Sequence, residues 1–268
     1  MIKMLVCDID GTICMDGTFS DATVECIDRV RRDGIKFVIA TGRTYLSAIK
    51  VLEPLKIDTP IICYQGGLIR MPNNGEVIAE HLLKRDLALE IIDYLKTEGI
   101  YPNIYINGNL CTEKDTDTVR AYSKYQNIPY TVIPDVRKED FKGVNKLLAV
   151  CHDPIKMDRI VKTLRERYKD RIYNSLSTPY FCEICDINVS KGNALTFLAN
   201  KWGIKKEEIM GCGDEGNDVE LLQASGIGVA MGNATEKLKQ IADYVTDTIG
   251  NDGVAKAVDK FIYGKNDD

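Results

Sequence analysis

The sequence predicts an α/β protein in which a parallel-sheet core is interrupted by an inserted α+β domain. Strand and helix signals alternate over the first third of the chain and again after Asp186, and a different mixture lies between. With 268 residues, 44% hydrophobic and 28% charged, the chain can fill one large core or two smaller ones.

The core opens with the apolar run Met4 to Cys7, then an amphipathic stretch from Asp21 to Arg32. Ser20 stands before that stretch as an N-cap and Gly34 after it as the residue that ends the helix. Ile35 to Ala40 reads as the second strand. A helical pattern on Leu46, Ile49 and Val51 or Leu55 follows, and Pro60 to Tyr64 reads as a third, buried strand. Strand, helix, strand, helix, strand implies parallel pairing. From Gly66 to about His81 two apolar runs flank Asn73-Asn74-Gly75, which predicts an antiparallel hairpin leading out of the first domain.

Beyond it, Asp86 to Glu98 is an amphipathic helix. Strand-like runs around Ile104, Leu110, Val132 and Leu147 surround helical patterns at Thr118 to Tyr125 and Ile155 to Tyr168, a mixture that suggests an antiparallel sheet. The alternation then returns with helix Gly192 to Lys201, strand Ile209 to Cys212, helix Asp218 to Ala224 and strand Ile227 to Ala230. Helix Thr235 to Ile241, strand Tyr244-Val245 and a last helix from Val254 complete it. The expected domains are 1–82 with 186–268, and 83–185; the tail from Lys265 to Asp268 is expected to be disordered.

A net charge of -5 with scattered Lys and Arg excludes a basic stripe for nucleic acid or anionic membrane. The N-terminal apolar run is short and broken by acids, so neither a signal peptide nor a membrane span is expected, and the expected location is the cytoplasm. Nine cysteines, mostly in apolar segments, suit buried thiols in a reducing compartment. Cys182 and Cys185 form a CxxC inside a strand-like run with no second pair, which argues against a redox or zinc role; His81 and His152 are isolated.

The strongest local signal is Asp8-Ile9-Asp10-Gly11-Thr12, directly after the first strand, where ligands bind in parallel sheets. A carboxylate can attack phosphorus while a second carboxyl group protonates the leaving alcohol and later takes a proton from water. Asp8 suits the first role and Asp10 the second. Thr41 and Gly42, after the second strand, can offer a hydroxyl and an N–H to phosphate oxygens without bulk. Lys191 opens a helix, where a cation opposes the macrodipole and is best understood as serving an anion. Asp214 follows an apolar strand and suits Mg²⁺, a hard ion that prefers carboxylate oxygens.

The loop DxDGT, followed in order by VIATGR, SKGNAL and GCGDEGND, resembles the haloacid dehalogenase superfamily. The resemblance implies a Rossmann-like core and a Mg²⁺-dependent phosphatase working through an aspartyl-phosphate on Asp8. It adds the Asp8 carboxylate and the backbone carbonyl of Asp10 to Asp214 as metal ligands, has Asp218 supporting the metal's waters and Asn217 orienting phosphate or the neighbouring loop. The long insertion and the ending Asn251-Asp252-Gly253-Val254-Ala255 are similar to the Cof-type sugar-phosphate phosphatases, which implies that 83–185 is a mobile cap.

One departure is Gln65-Gly66-Gly67, where that group has an Asn-Gly-Ala-like turn facing the substrate; Gln65 still offers a polar contact to the leaving group. Arg43 is read either as a substrate contact or as a surface arginine. Small phosphorylated metabolites are the expected partners, with no nucleic acid, membrane or obligatory protein partner. A phosphomutase would share the aspartyl-phosphate, and a non-catalytic phosphate-responsive module would keep Asp8 without needing Asp10. A dehalogenase, attacking carbon, would not need Asp214 as a metal ligand.

Overall fold

The computed structural model describes residues Met1–Lys265; of the tail expected to be disordered, Lys265 is described, its amide donating to the Asp259 carbonyl at 3.0 Å, and 266–268 lie outside the described residues. In chain order the first elements are β1 (Met4–Cys7), α1 (Asp21–Arg32), β2 (Lys36–Ala40), α2 (Tyr45–Val51), β3 (Ile61–Cys63), β4 (Leu68–Arg70) and β5 (Val77–Glu80). The middle of the chain forms β6 (Leu83–Lys84), α3 (Arg85–Thr97), β7 (Asn103–Ile106), β8 (Asn109–Thr112), α4 (Asp117–Gln126) and β9 (Tyr130–Val132). It continues through β10 (Gly143–Val144), β11 (Lys146–Val150), α5 (Pro154–Tyr168), β12 (Ile172–Thr178) and β13 (Phe181–Asp186). The last part is α6 (Lys191–Trp202), β14 (Ile209–Gly213), α7 (Val219–Ala224), β15 (Ile227–Ala230), α8 (Glu236–Ile241), β16 (Tyr244–Val245) and α9 (Gly253–Phe261).

These elements group into two compact units, one of residues 1–43, 48–78 and 190–268, the other of 44–47 and 79–189. The first is built on an eight-stranded sheet of order β16-β15-β14-β1-β2-β3-β4-β5. Pairing is parallel from β16 through β3 and antiparallel between β3 and β4. Its central strands are continuous apolar runs, with Met4–Cys7, Phe37–Ala40, Ile61–Cys63 and Ile209–Cys212 all buried, as a sheet covered on both faces requires. Helix α1 starts where Ser20 accepts a hydrogen bond from the Thr23 amide and stops at Gly34, whose φ of 78° is the left-handed turn that breaks a helix. Asn73-Asn74-Gly75 forms the turn between β4 and β5, with Gly75 at φ 71°.

The second unit holds a six-stranded sheet of order β12-β13-β11-β7-β8-β9. It is antiparallel except for β8 and β9, which are parallel because α4 carries the chain back between them. The expectation of an all-antiparallel sheet is corrected there: a ten-residue helix is a crossover, whereas a tight turn would have reversed the strand. One face of this sheet packs Ile104, Leu147, Ala149, Cys182 and Ile184 against α3 and α5 in a single apolar core. The other face carries Tyr105, Lys146 and Glu183, with Tyr105 donating to or accepting from Tyr122 of α4 at 2.9 Å between the hydroxyls. Asn103 and Tyr105 are both buried.

The CxxC is settled by the same pleat. Cys182 and Cys185 are three apart on one strand, so their side chains leave opposite faces of the sheet, and both are free thiols. All nine cysteines are free.

Candidate active site

Parallel register brings the carboxyl ends of β1, β2, β3 and β14 level. Cys7 pairs with Cys212 and with Ile39, the Asp8 amide donates to the Cys212 carbonyl at 3.1 Å, and the Thr41 amide donates to Ile62 at 2.9 Å. The residues that follow these strands therefore share one end of the sheet, the end at which parallel sheets bind ligands.

Three carboxylates meet there. Asp8, Asp214 and Asp218 are all buried, and each offers an oxygen within 4.8 Å of the others. Lys191, the first residue of α6, sends its fully buried ammonium between two of them, 2.9 Å from Asp8 Oδ1 and 2.6 Å from Asp218 Oδ1. One buried cation thus faces three buried acids. The imbalance raises the affinity of Asp8 and Asp214 for protons: burial, together with Asp218 and Asp214, holds Asp8 well above the usual carboxylate range despite the opposing pull of Lys191. Burial, then the neighbouring Asp218, lifts Asp214 to about 7. Burial alone would lower Lys191, but Asp218 and Asp8 more than offset it and hold the ammonium charged.

Each carboxylate is used differently. Asp218 is saturated by the protein: Oδ1 binds Lys191, and Oδ2 accepts the amides of Asp214 at 3.0 Å and Glu215 at 3.1 Å. Asp214 receives the Thr12 hydroxyl on Oδ1 at 2.8 Å, and its Oδ2 lies beside Gly11, where a Cβ would stand 2.1 Å away. Asp8 meets Lys191 through Oδ1, which leaves its second oxygen. A hard, oxygen-preferring divalent cation fits Asp8 and Asp214, while Asp218 fixes the loop and the lysine around them.

Asp10 does not join the cluster. Its side chain is half exposed and both its oxygens accept from Arg43, Nε to Oδ2 at 2.7 Å and a terminal nitrogen to Oδ1 at 2.6 Å. Arg43, left between surface and substrate in the sequence reading, is therefore a partner of Asp10. Thr41 is buried and its hydroxyl oxygen accepts the Arg43 amide at 3.1 Å. Gly42 lies against the side chain of Gln65, and Gln65 in turn accepts a hydrogen bond from Asn217 Nδ2 at 3.0 Å. Sequence reasoning missed Thr12 as the residue orienting Asp214. The Thr of DxDGT was visible, but its partner lies 202 residues away.

The model of the haloacid dehalogenase-like hydrolases matches residues 5–258, nearly the whole chain and every motif residue named above. The chain belongs to the haloacid dehalogenase-like hydrolases. Among solved structures, it is 33% identical to TM0651 of Thermotoga maritima, with 100% of this chain and 99% of that one covered at a TM-score of 0.83. The HAD subclass IIB sugar phosphatase BT4131 superposes at a TM-score of 0.83 with 26% identity, covering 97% of this chain and 98% of that one. The 5-amino-6-(5-phospho-D-ribitylamino)uracil phosphatase YwtE of Bacillus subtilis is 28% identical over 290 residues, 98% of this chain and 99% of its own. This haloacid dehalogenase-like hydrolase also has no helix, among its described residues, long and apolar enough to cross a membrane.

Proposed function

We propose that the protein is a Mg²⁺-dependent phosphatase of small phosphorylated metabolites, sugar phosphates among them. The observation that carries the reading is the buried cluster of Asp8, Asp214 and Asp218 around the single cation Lys191. Such an excess of buried negative charge is costly unless a further cation completes it, and that cation in turn draws an anionic substrate.

In this reading Asp8 attacks phosphorus and the ester P–O bond breaks. Asp10 gives its proton to the leaving alkoxide; a water then attacks the phosphorus of the aspartyl-phosphate, Asp10 takes the water's proton, and phosphate leaves Asp8. Lys191 holds Asp8 and a phosphoryl oxygen together, and Thr41 and Gly42 orient the remaining oxygens, while Asn217 gives its Nδ2 to Gln65. Asp8, Asp214 and the carbonyl of Asp10 would hold Mg²⁺, which when bound neutralises charge on the phosphoryl oxygens. For Asp10 to act, Arg43 must give up at least one of the two carboxylate oxygens it now binds.

Residues 79–189 form the proposed cap, which selects the leaving group. Nine free cysteines suit a reducing compartment, so the cytoplasm is the proposed location. The test is phosphate release from a panel of sugar and polyol phosphates, with Mg²⁺ and then with chelator. Asp8→Asn should abolish turnover and leave the far-ultraviolet spectrum unchanged; appreciable turnover by that variant removes Asp8 as nucleophile.

A further inference from the structure

Three successive residues after β3 have left-handed backbone: Tyr64 at φ 50°, Gln65 at 60° and Gly66 at 108°. Two of them carry side chains and all are buried, a strained arrangement that persists only where the surroundings hold it. The surroundings do so at each residue. The Tyr64 amide donates to the Arg43 carbonyl at 3.0 Å and the Gln65 amide to the Thr41 carbonyl at 3.1 Å. A Cβ on Gly66 would stand 2.3 Å from the carbonyl oxygen of Ser190, the residue before Lys191. The turn is thereby locked to the loops that carry Thr41 and Lys191.

This places the Gln65 side chain, 1% exposed, flat against the phosphate loop: a Cβ on Gly42 would lie 2.3 Å from Gln65 Nε2. Gln65 and Asn217, itself 7% exposed, share one hydrogen bond, from Asn217 Nδ2 to Gln65 Oε1 at 3.0 Å. Gln65 Nε2 and Asn217 Oδ1 are buried and have no partner. Turning both amides over exchanges the roles but not the result, since one donor and one acceptor still remain. Buried polar atoms left this way are costly and call for a ligand group that completes them.

A phosphate dianion only accepts, and it would face the unpaired Asn217 oxygen. A hydrocarbon would satisfy neither atom. A hydroxyl group both accepts and donates, and so matches the pair. We propose that Gln65 and Asn217 form a hydroxyl-reading subsite beside the phosphate seat, so that preferred substrates carry a hydroxyl on the carbon next to the phosphorylated one. The inference rests on the phosphatase reading above and narrows its substrate class to vicinal hydroxyalkyl phosphates.

The experiment compares kcat/KM for glycerol 3-phosphate and n-propyl phosphate, which share a carbon chain, with p-nitrophenyl phosphate as a hydroxyl-free reference, all with Mg²⁺. The wild type should favour glycerol 3-phosphate over propyl phosphate by about 10-fold or more, because a site built to bond a hydroxyl rejects the analogue without it. Gln65→Met should bring that ratio to within about 3-fold, whatever it does to the absolute rates. If the strained turn does not fold with Met, Gln65→Glu keeps the shape, loses the donor and should bring the same collapse. A ratio unchanged in the folded variant, with both esters slowed in parallel, overturns the subsite and leaves Gln65 as a support of the turn. Turnover of p-nitrophenyl phosphate by wild type without preference for glycerol 3-phosphate overturns this inference alone. No phosphate release from any of the three overturns the phosphatase reading and the inference with it.

Discussion

Among the described residues each unit buries one lysine completely, and the two are opposites. Lys146, in the sheet of the second unit, meets the single acid Glu183 at 3.0 Å in its ion pair and lies over the ring of Tyr105, its nitrogen 5.3 Å from the centroid. Lys191, in the first, is outnumbered by Asp8, Asp214 and Asp218. Burial opposes charge on both lysines, and their acids overcome it in both. The difference lies in what remains after pairing. The charges of Lys146 and Glu183 cancel; around Lys191, with three buried acids to one ammonium, negative charge is left over. A buried ion pair is therefore no sign of function by itself, whereas one with negative charge left over marks a place for a further cation and, through it, an anionic ligand.

Exchanging each lysine for methionine tests this most sharply. Lys191→Met should lower kcat by about 10³-fold or more, since it removes charge stabilisation of the transferring group. Phosphate release measured on folded protein checks it, and a loss under 10-fold, on the scale of about 1.4 kcal/mol, would put Lys191 outside the chemistry. Lys146→Met should leave the rate nearly unchanged but destabilise the fold by about 3–5 kcal/mol, because Glu183 is then buried without a partner. Urea unfolding measures that, and adding Glu183→Leu should restore most of the loss. A large kcat defect in Lys146→Met at full stability would erase the contrast between the two sites.

A smaller effect separates them by ligand. Mg²⁺ at about 100 times its dissociation constant should stabilise the protein by about 2.7 kcal/mol, and chelator should reverse this. Asp214→Asn should abolish the effect while Glu183→Gln leaves it in place, as thermal unfolding with and without Mg²⁺ would show.

The smallest expected effect is in pH. Folding raises Asp214 from the usual carboxylate value to about 7, so the folded, metal-free protein binds more protons than the unfolded chain between those limits. That contribution to stability is complete below about pH 4 and is lost as pH rises through 7. Asp214→Asn, which mimics the protonated form, should therefore match the metal-free wild type at low pH and gain on it progressively up to neutrality. A constant difference in melting temperature across that range would contradict the assigned environment of Asp214.

Much of this was legible in the chain. Asp8, Thr41 and Asp214 each follow a buried apolar strand, and Lys191 opens an amphipathic helix, so their common end of the sheet follows from parallel pairing. Helix α1 with its Ser20 cap and the turn at Asn73-Asn74-Gly75 were readable because caps and turns are short-range events. Strand β12 and the parallel pairing of β8 with β9 were not, since neither a polar edge strand nor the sense of a pairing leaves a local pattern.

The sequence by itself determined the alternation of elements, the family motifs and the order in which they occur, because backbone preference and apolar periodicity act within a few residues. Only the tertiary structure decided that Asp218 is consumed by Lys191 and two amides, that Arg43 holds Asp10, and that Gln65 faces Asn217 with a donor and an acceptor to spare. These pairings join side chains 27 to 152 residues apart or depend on which lone pair is already taken. Such facts are settled by packing and desolvation of the assembled sheet, and no local stretch of chain encodes them.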